Sequence, residues 1–420
     1  MIILNYLRKI KKIFYMSRDI YGRENDIKFL LISIFHVVSA ILEILSIALI
    51  LPVLDLILNN GELSFFKIDL SINELNIKKL LFLIFFLYFM KSLVLFLINR
   101  FQLKVIFTIS KSISNSLFKK YLSKNYVFFT KNNTATLLRN IFYETSKFSQ
   151  SFLPTSIKLF SDFLITLFMM TLLMQFNFKI TLFFLIFFIF LGGIYLFYIK
   201  DLLLKFGKER VVSDAKRIKF IQEGFGSFQL IRSFGLKRFF SKKNEIQNEI
   251  SHRANYYEKL FLLLPRMLFE LTIITFIIFT IYIFTNYFND KTAIIIQLSV
   301  FGLVSIRLIP VFNSIVSSIQ ILRFNIIIVN SLHKNFMKTT SKDNLNKNIK
   351  SLKKDFCLKN ISYKYPGTKK YILNKLNFIF KKGDMILISG ASGSGKSTLL
   401  NIIMGILEID IGIILINQKN

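Results

Sequence analysis

Apolar stretches of membrane-spanning length recur along this chain, and they decide what it can fold into. The first covers 27–58 and the second 80–99. A third and fourth follow at 157–176 and 180–199, and the last two at 260–287 and 293–316. Each supplies the roughly 20 apolar residues needed to cross hydrocarbon. Backbone groups inside a bilayer must be satisfied within the segment, so helices are expected. Composition agrees, with 53% apolar residues, 49 phenylalanines and a mean hydropathy of +0.52 over 420 residues. A soluble domain does not look like this.

The formal charge of +32 raises two readings, nucleic-acid binding and a membrane protein with a basic cytoplasmic side. Placement of the charge separates them. Residues 104–153 carry Lys104, Lys111, Lys119, Lys120, Lys124, Lys131, Arg139 and Lys147 against a single acid, Glu144. Residues 200–259 are also rich in Lys and Arg, whereas 59–77, 177–179 and 288–292 hold almost none. An even number of spans with that asymmetry places both termini and both long loops in the cytoplasm, without nucleic acid. The long loops are helical in pattern, so the helices are expected to run on beyond the bilayer.

Residues 1–26 are basic and partly amphipathic. Ile3, Leu7, Ile10 and Phe14 fall near one helical face, with Arg8, Lys9, Lys11 and Lys12 around it. This suits a helix lying on the membrane surface. A signal peptide would need a short apolar core and a small-residue cleavage site, and neither is found. One cysteine, Cys357, excludes an internal disulfide. His36, His252 and His333 are scattered, and structural roles are expected for each.

After the sixth stretch, 334–354 is polar and lysine-rich and reads as a linker. A soluble α/β domain is expected over 355–420. Phe356–Tyr363 and 376–380 alternate as strands, Pro366-Gly367 marks a turn, and 411–416 reads as a last strand. Between them lies Gly390-Ala391-Ser392-Gly393-Ser394-Gly395-Lys396-Ser397, which fits G-x-x-x-x-G-K-[ST]. Met385-Ile386-Leu387-Ile388-Ser389 before it reads as a buried strand, and a helical pattern follows from Thr398. Glycines let the backbone come close to a triphosphate, so several N–H groups can face one anion. The helix start adds the positive end of its dipole. Lys396 would reach the β- and γ-phosphates of ATP, and Ser397 would offer its hydroxyl to Mg²⁺.

With these parts together, the whole chain resembles a half-transporter of the ABC exporter superfamily. The resemblance implies a mainly α membrane protein, a six-helix transmembrane domain over 27–333, followed by an incomplete P-loop ATPase domain. Ser362-Tyr363-Lys364-Tyr365-Pro366-Gly367 resembles the adenine-stacking loop of those ATPases, which would set Tyr365 against the adenine ring; a core tyrosine is the other reading. Lys382-Gly383-Asp384 matches the turn before the phosphate-loop strand. Phe129-Thr130-Lys131-Asn132-Asn133-Thr134-Ala135 resembles the first coupling-helix region, with Ala135 where the family has glycine. Glu223-Gly224 and Ile231-Arg232-Ser233-Phe234-Gly235 resemble the second.

Within the superfamily the membrane half is most similar to the PglK-type flippases of lipid-linked oligosaccharides. The residues concerned are Glu43 and Pro52, Pro265-Arg266 with Glu270, and Arg307-Leu308-Ile309-Pro310. The resemblance implies ATP-driven flipping or export of a lipid-linked or amphipathic substrate. It also implies a bacterial inner membrane and a homodimer or heterodimer of half-transporters. A cation inside the bilayer costs about 2.5–3.5 kcal/mol on insertion scales, so it persists where it faces a wet cavity or a partner. Lys91, Arg266 and Arg307 come from three spans and are candidates to line a cavity for an anionic headgroup such as a lipid pyrophosphate. Pairing with Glu43 and Glu270, or snorkelling to the interface, is the competing reading.

The family's ATPase also needs a glutamine loop, an LSGGQ-like signature, an apolar strand ending in Asp-Glu and a switch histidine. None is found after Gly390, where the acids are Glu408 and Asp410. The residues present are expected to bind nucleotide at most in part and not to hydrolyse it, with a truncated gene or incomplete sequence as the cause. Two further readings stay open: a membrane remnant without transport activity, and a membrane-anchored phosphoryl-transfer enzyme.

Overall fold

The computed structural model describes residues 2–48, 74–176, 178–287, 291–337, 355–368 and 370–416. They divide into two compact units. The first comprises 1–117 and 138–337, and the second 118–137 and 338–420.

The first unit is helical. Helix α1, Ile2–Tyr21, meets α2, Asp26–Ala48, through a short 3-10 turn at Arg23–Asn25. The turn needs Gly22, whose φ is +83°, and Arg18 Nε closes it by donating to Asp26 Oδ2 at 2.8 Å. Helix α3 spans Glu74–Leu122 and passes from the first unit into the second at residue 118. Residues 134–176 are helical throughout. They run from α5, Thr134–Arg139, to α6, Leu153–Phe176, through two π-helical turns, Asn140–Glu144 and Phe148–Phe152. The second wide turn ends just before Pro154, which has no N–H to continue an α-helical ladder.

Helices α7, Phe178–Gly226, and α9, Lys237–Tyr287, form a long hairpin with the short α8, Phe228–Ser233, at its tip. Helix α10, Lys291–Met337, packs against α6, α7 and α9. Thus the basic loops expected from the sequence are helical extensions, and α10 continues to Met337, with 338–354 outside the described residues. Five helices among the described residues are long and apolar enough to cross a membrane: Arg23–Leu42, Leu81–Leu122, Thr134–Thr171, Leu185–Gly226 and Leu308–Met337. The expected span at 260–287 lies in α9, where many side chains are outside the described residues.

An aromatic core holds the helices together. Phe188 of α7 stacks on Phe312 of α10 at 4.5 Å and on Phe269 of α9 at 5.2 Å. Ile165, Met169 and Ala40 complete the cluster from α6 and α2. Lipid is as apolar as these side chains, so close fit rather than expulsion from water must hold them. Gly207 illustrates the fit: a Cβ there would lie 2.4 Å from the Phe324 carbonyl oxygen. Pro265 sits inside α9 and leaves the Phe261 carbonyl without its helical donor. The Tyr195 hydroxyl of α7 donates to that carbonyl instead.

The second unit contains α4, Tyr126–Lys131, capped by the Asn125 side chain, which accepts from Phe128 N–H. It also holds a three-stranded antiparallel sheet in the order β2-β1-β3. The strands are β1 Phe356–Tyr363, β2 Leu373–Phe380 and β3 Ile411–Ile416, with helix α11, Lys396–Ile403, between β2 and β3. Both expected turns are present, with Gly367 at φ +96° and Gly383 at φ +93°. Gly412 lets β3 approach β1: its φ is +114°, and a Cβ would meet Asn360 O at 2.6 Å. One expectation fails. Residues 385–389 are not a buried strand; Met385 is 101% exposed and Leu387 90%, and they join no sheet. A strand needs a hydrogen-bonding neighbour, and none of the three described strands lies beside this run.

Candidate functional site

The loop from Gly390 to Lys396 leads directly into α11. Gly390, Gly393 and Gly395 have φ of +153°, +82° and +96°, which other residues rarely adopt. Gly395 is also hemmed in, since a Cβ would fall 3.0 Å from Ile372 and 3.2 Å from Leu373. Ala391, Ser392, Gly393, Ser394 and Ser397 are exposed, whereas Thr398 is buried. The first N–H groups of α11 have no intrahelical acceptor and open onto the loop. Lys396 Nζ folds back and donates to Gly390 O at 2.6 Å and Ala391 O at 2.8 Å. The ammonium is therefore held at the loop's mouth by neutral oxygens.

These residues fit a triphosphate with its metal. The first amides of α11 and the Lys396 ammonium lie at an exposed loop, and Ser397 is exposed. Bound ATP would bring the phosphate charge and Mg²⁺ a bridging cation; Lys396 and the α11 amides would hold the former, Ser397 the latter.

Tyr365 stands beside this loop. Its hydroxyl lies 3.4 Å from Thr398 Oγ1, and its half-buried ring meets Tyr363 edge-on at 5.2 Å. Tyr363 is buried and its hydroxyl finds no hydrogen-bond partner among the described residues; burial pushes that hydroxyl above the ordinary tyrosine range. Asp410 is committed elsewhere, accepting from Lys364 N–H at 2.8 Å. Beneath the loop a core forms from Phe356, Leu358, Ile361, Tyr363, Leu373, Ile402 and Leu407. Val127 of α4, two residues before the stretch 129–135, packs against it.

The candidate cavity cations behave differently from one another. Lys91 is buried, its ammonium 5.1 Å from the Tyr88 ring centre. Arg266 is exposed and pairs with Glu270 one turn on, Nε to Oε1 at 2.8 Å. Pairing with Glu270 was one of the two readings open from the sequence. The side chains of Arg307 and Glu43, and all of Pro52, lie outside the described residues.

Sequence reasoning missed one charge cluster. Glu144 is fully buried, with Oε1 3.3 Å from Arg139 Nε and Oε2 3.8 Å from Arg210 Nη2. Arg210 reaches Asp214 at 3.8 Å, and Asp214 accepts from the Ser251 hydroxyl at 2.6 Å. Arg139 also donates to the Val211 carbonyl. Helices α5, α7 and α9 are thereby tied together through charge. The available signal was that Glu144 is the one acid among eight bases in 104–153.

Residues 29–306 match the family described as ABC transporter transmembrane region. The chain belongs to that family. Residues 373–420, which include the loop and α11, match the ABC transporter family. A lacticin-481/lactococcin-DR transport/processing ATP-binding protein of Lactococcus lactis is 53% identical over 53 residues, 13% of this chain and 8% of that protein. An ATP-dependent lipid A-core flippase of Pseudomonas aeruginosa is 43% identical over 60 residues, 14% of this chain and 10% of the flippase. A nisin transport ATP-binding protein of Lactococcus lactis is 46% identical over 55 residues, 13% of this chain and 9% of that protein. The matched stretch thus spans about a tenth of each of these relatives. This ABC chain is a multi-pass membrane protein with an ATP-binding segment at its carboxyl end.

Proposed function

We propose that the chain binds ATP with Mg²⁺ at 390–398 and that, together with a complete ATPase domain, this binding moves an amphipathic or lipid-linked substrate across a bacterial inner membrane. The observation that carries this is the glycine-built loop, with Lys396 held by two neutral carbonyls at its mouth. Phosphate oxygens compete well for such an ammonium, because charge-assisted hydrogen bonds are about twice as strong as neutral ones. Tyr365 would stack on the adenine, and Ser397 would hold Mg²⁺.

Two copies, or this chain and a second half-transporter, would pair. Movement would reach the spans through α4 and α8. Packing of Val127 on the nucleotide-domain core supports the α4 route. Both termini would face the cytoplasm, where ATP is found. For the substrate, the relatives named as lipid A-core flippases support a lipid. A PglK-type lipid-linked oligosaccharide is the narrower proposal. Lys91, Arg266 and Arg307 would meet its anionic headgroup, with Glu270 released from Arg266 as the headgroup enters.

The test is a titration of the purified chain with a fluorescent ATP analogue, chased by ATP. Saturable, Mg²⁺-strengthened binding that weakens in Tyr365→Ala but less in Tyr365→Phe supports the reading. Binding indifferent to Mg²⁺ and to both variants contradicts it.

A further inference from the structure

We propose that Asp162 is a proton-binding site at the junction of α2, α6 and α10. Asp162 lies inside the third apolar stretch and is only 7% exposed. Its Oδ2 accepts from the Ser314 hydroxyl of α10. One turn further along α6 stands Ile165, and Phe312 and Val316 flank Ser314; all three belong to the aromatic core. Ala40 brings α2 into the same core, with His36 one turn before it. His36 Nε2 in turn meets Gln102 Oε1 of α3 at 3.0 Å.

Among the described residues, two charged or titratable groups face the carboxyl: Lys158, exposed on the turn before it in α6, and His36 from α2. Neither reaches ion-pairing distance, and no other cation among the described residues does so. Glu144, by contrast, has two guanidinium groups within 4 Å. An ionised carboxylate buried with one hydroxyl donor is costly, and it is relieved by a pairing cation or by neutralisation. A metal ion such as Ca²⁺ would need about six to eight oxygen ligands. The side chains here offer a carboxyl group and one hydroxyl, which suit a proton.

The step balances without a co-reactant. The carboxylate takes one proton from water and becomes a carboxylic acid, whose oxygens can still share a hydrogen bond with Ser314. When α6 and α10 pack, the neutral form is the one buried. Ionisable residues inside membrane spans commonly mark functional sites. The proposal does not depend on nucleotide binding.

The test uses infrared spectra of the chain in lipid vesicles, recorded over a pH series without ATP. The expected result is a carbonyl band of a protonated carboxylic acid that grows as pH falls and is absent from Asp162→Asn. That variant keeps the shape and a hydrogen bond to Ser314. Ser314→Ala should shift the band without removing it, which decides the matter if Asp162→Asn does not fold. A wild-type spectrum lacking the band, or a band that does not change with pH, would overturn the proposal.

Discussion

Cations meet oxygen in two opposite ways in this protein. At the phosphate loop, Lys396 rests on two neutral carbonyls of its own loop, amid exposed residues. In the helical unit, Arg139 and Arg210 flank the carboxylate of Glu144, with all three side chains 5% exposed or less. The first arrangement gives up its contacts to a stronger anion at little cost. The second cannot lose a member without leaving a bare charge in the interior. Weak acceptors at an open surface make a binding group, and opposite charge in a closed interior makes structure.

The sharpest way to break this contrast is Glu144→Ala. Removing one partner of a buried ion pair costs about 3–5 kcal/mol, so denaturation of the membrane unit should show a loss of that size. Replacing Glu144, Arg139 and Arg210 together by methionine should recover much of it, because no charge is then stranded. An unchanged stability in Glu144→Ala would mean the cluster is not closed. Lys396→Ala comes next. It should weaken ATP binding by about 1.5–3 kcal/mol, roughly ten- to hundredfold, while circular dichroism stays the same.

Gly412→Ala tests whether the loop depends on the sheet below it. Forcing a side chain into φ +114° against the Asn360 carbonyl should cost about 1–3 kcal/mol. Limited proteolysis should then cut within 355–416 sooner. The smallest effect is expected from Arg266→Ala. Its pair with Glu270 is exposed, so stability should change by about 1 kcal/mol or less. A larger loss there would place Arg266 with the structural charges after all.

How legible each part was follows from how local it is. The phosphate loop could be read because its chemistry lies in eight consecutive residues, and the turns at Gly367 and Gly383 were readable for the same reason. The long helices were readable from apolar length and charge asymmetry. Residues 385–389 misled because an apolar run reveals burial only when neighbouring strands exist to cover it. Asp162 and Glu144 were passed over because their partners sit far along the chain. Ser314 is on α10 and Arg210 on α7, and no spacing rule links residues that only packed helices bring together. The rescue of the Phe261 carbonyl by Tyr195 was hidden in the same way.

The central claim is that nucleotide bound in the loop is felt at α4 through the apolar contact of Val127. Hydrogen–deuterium exchange of the purified chain, with and without ATP and Mg²⁺, tests it most directly. The account predicts slower exchange at 390–398 together with slower exchange at 126–131, both abolished by Lys396→Ala. Slower exchange at 390–398 with exchange at 126–131 left unchanged would contradict it.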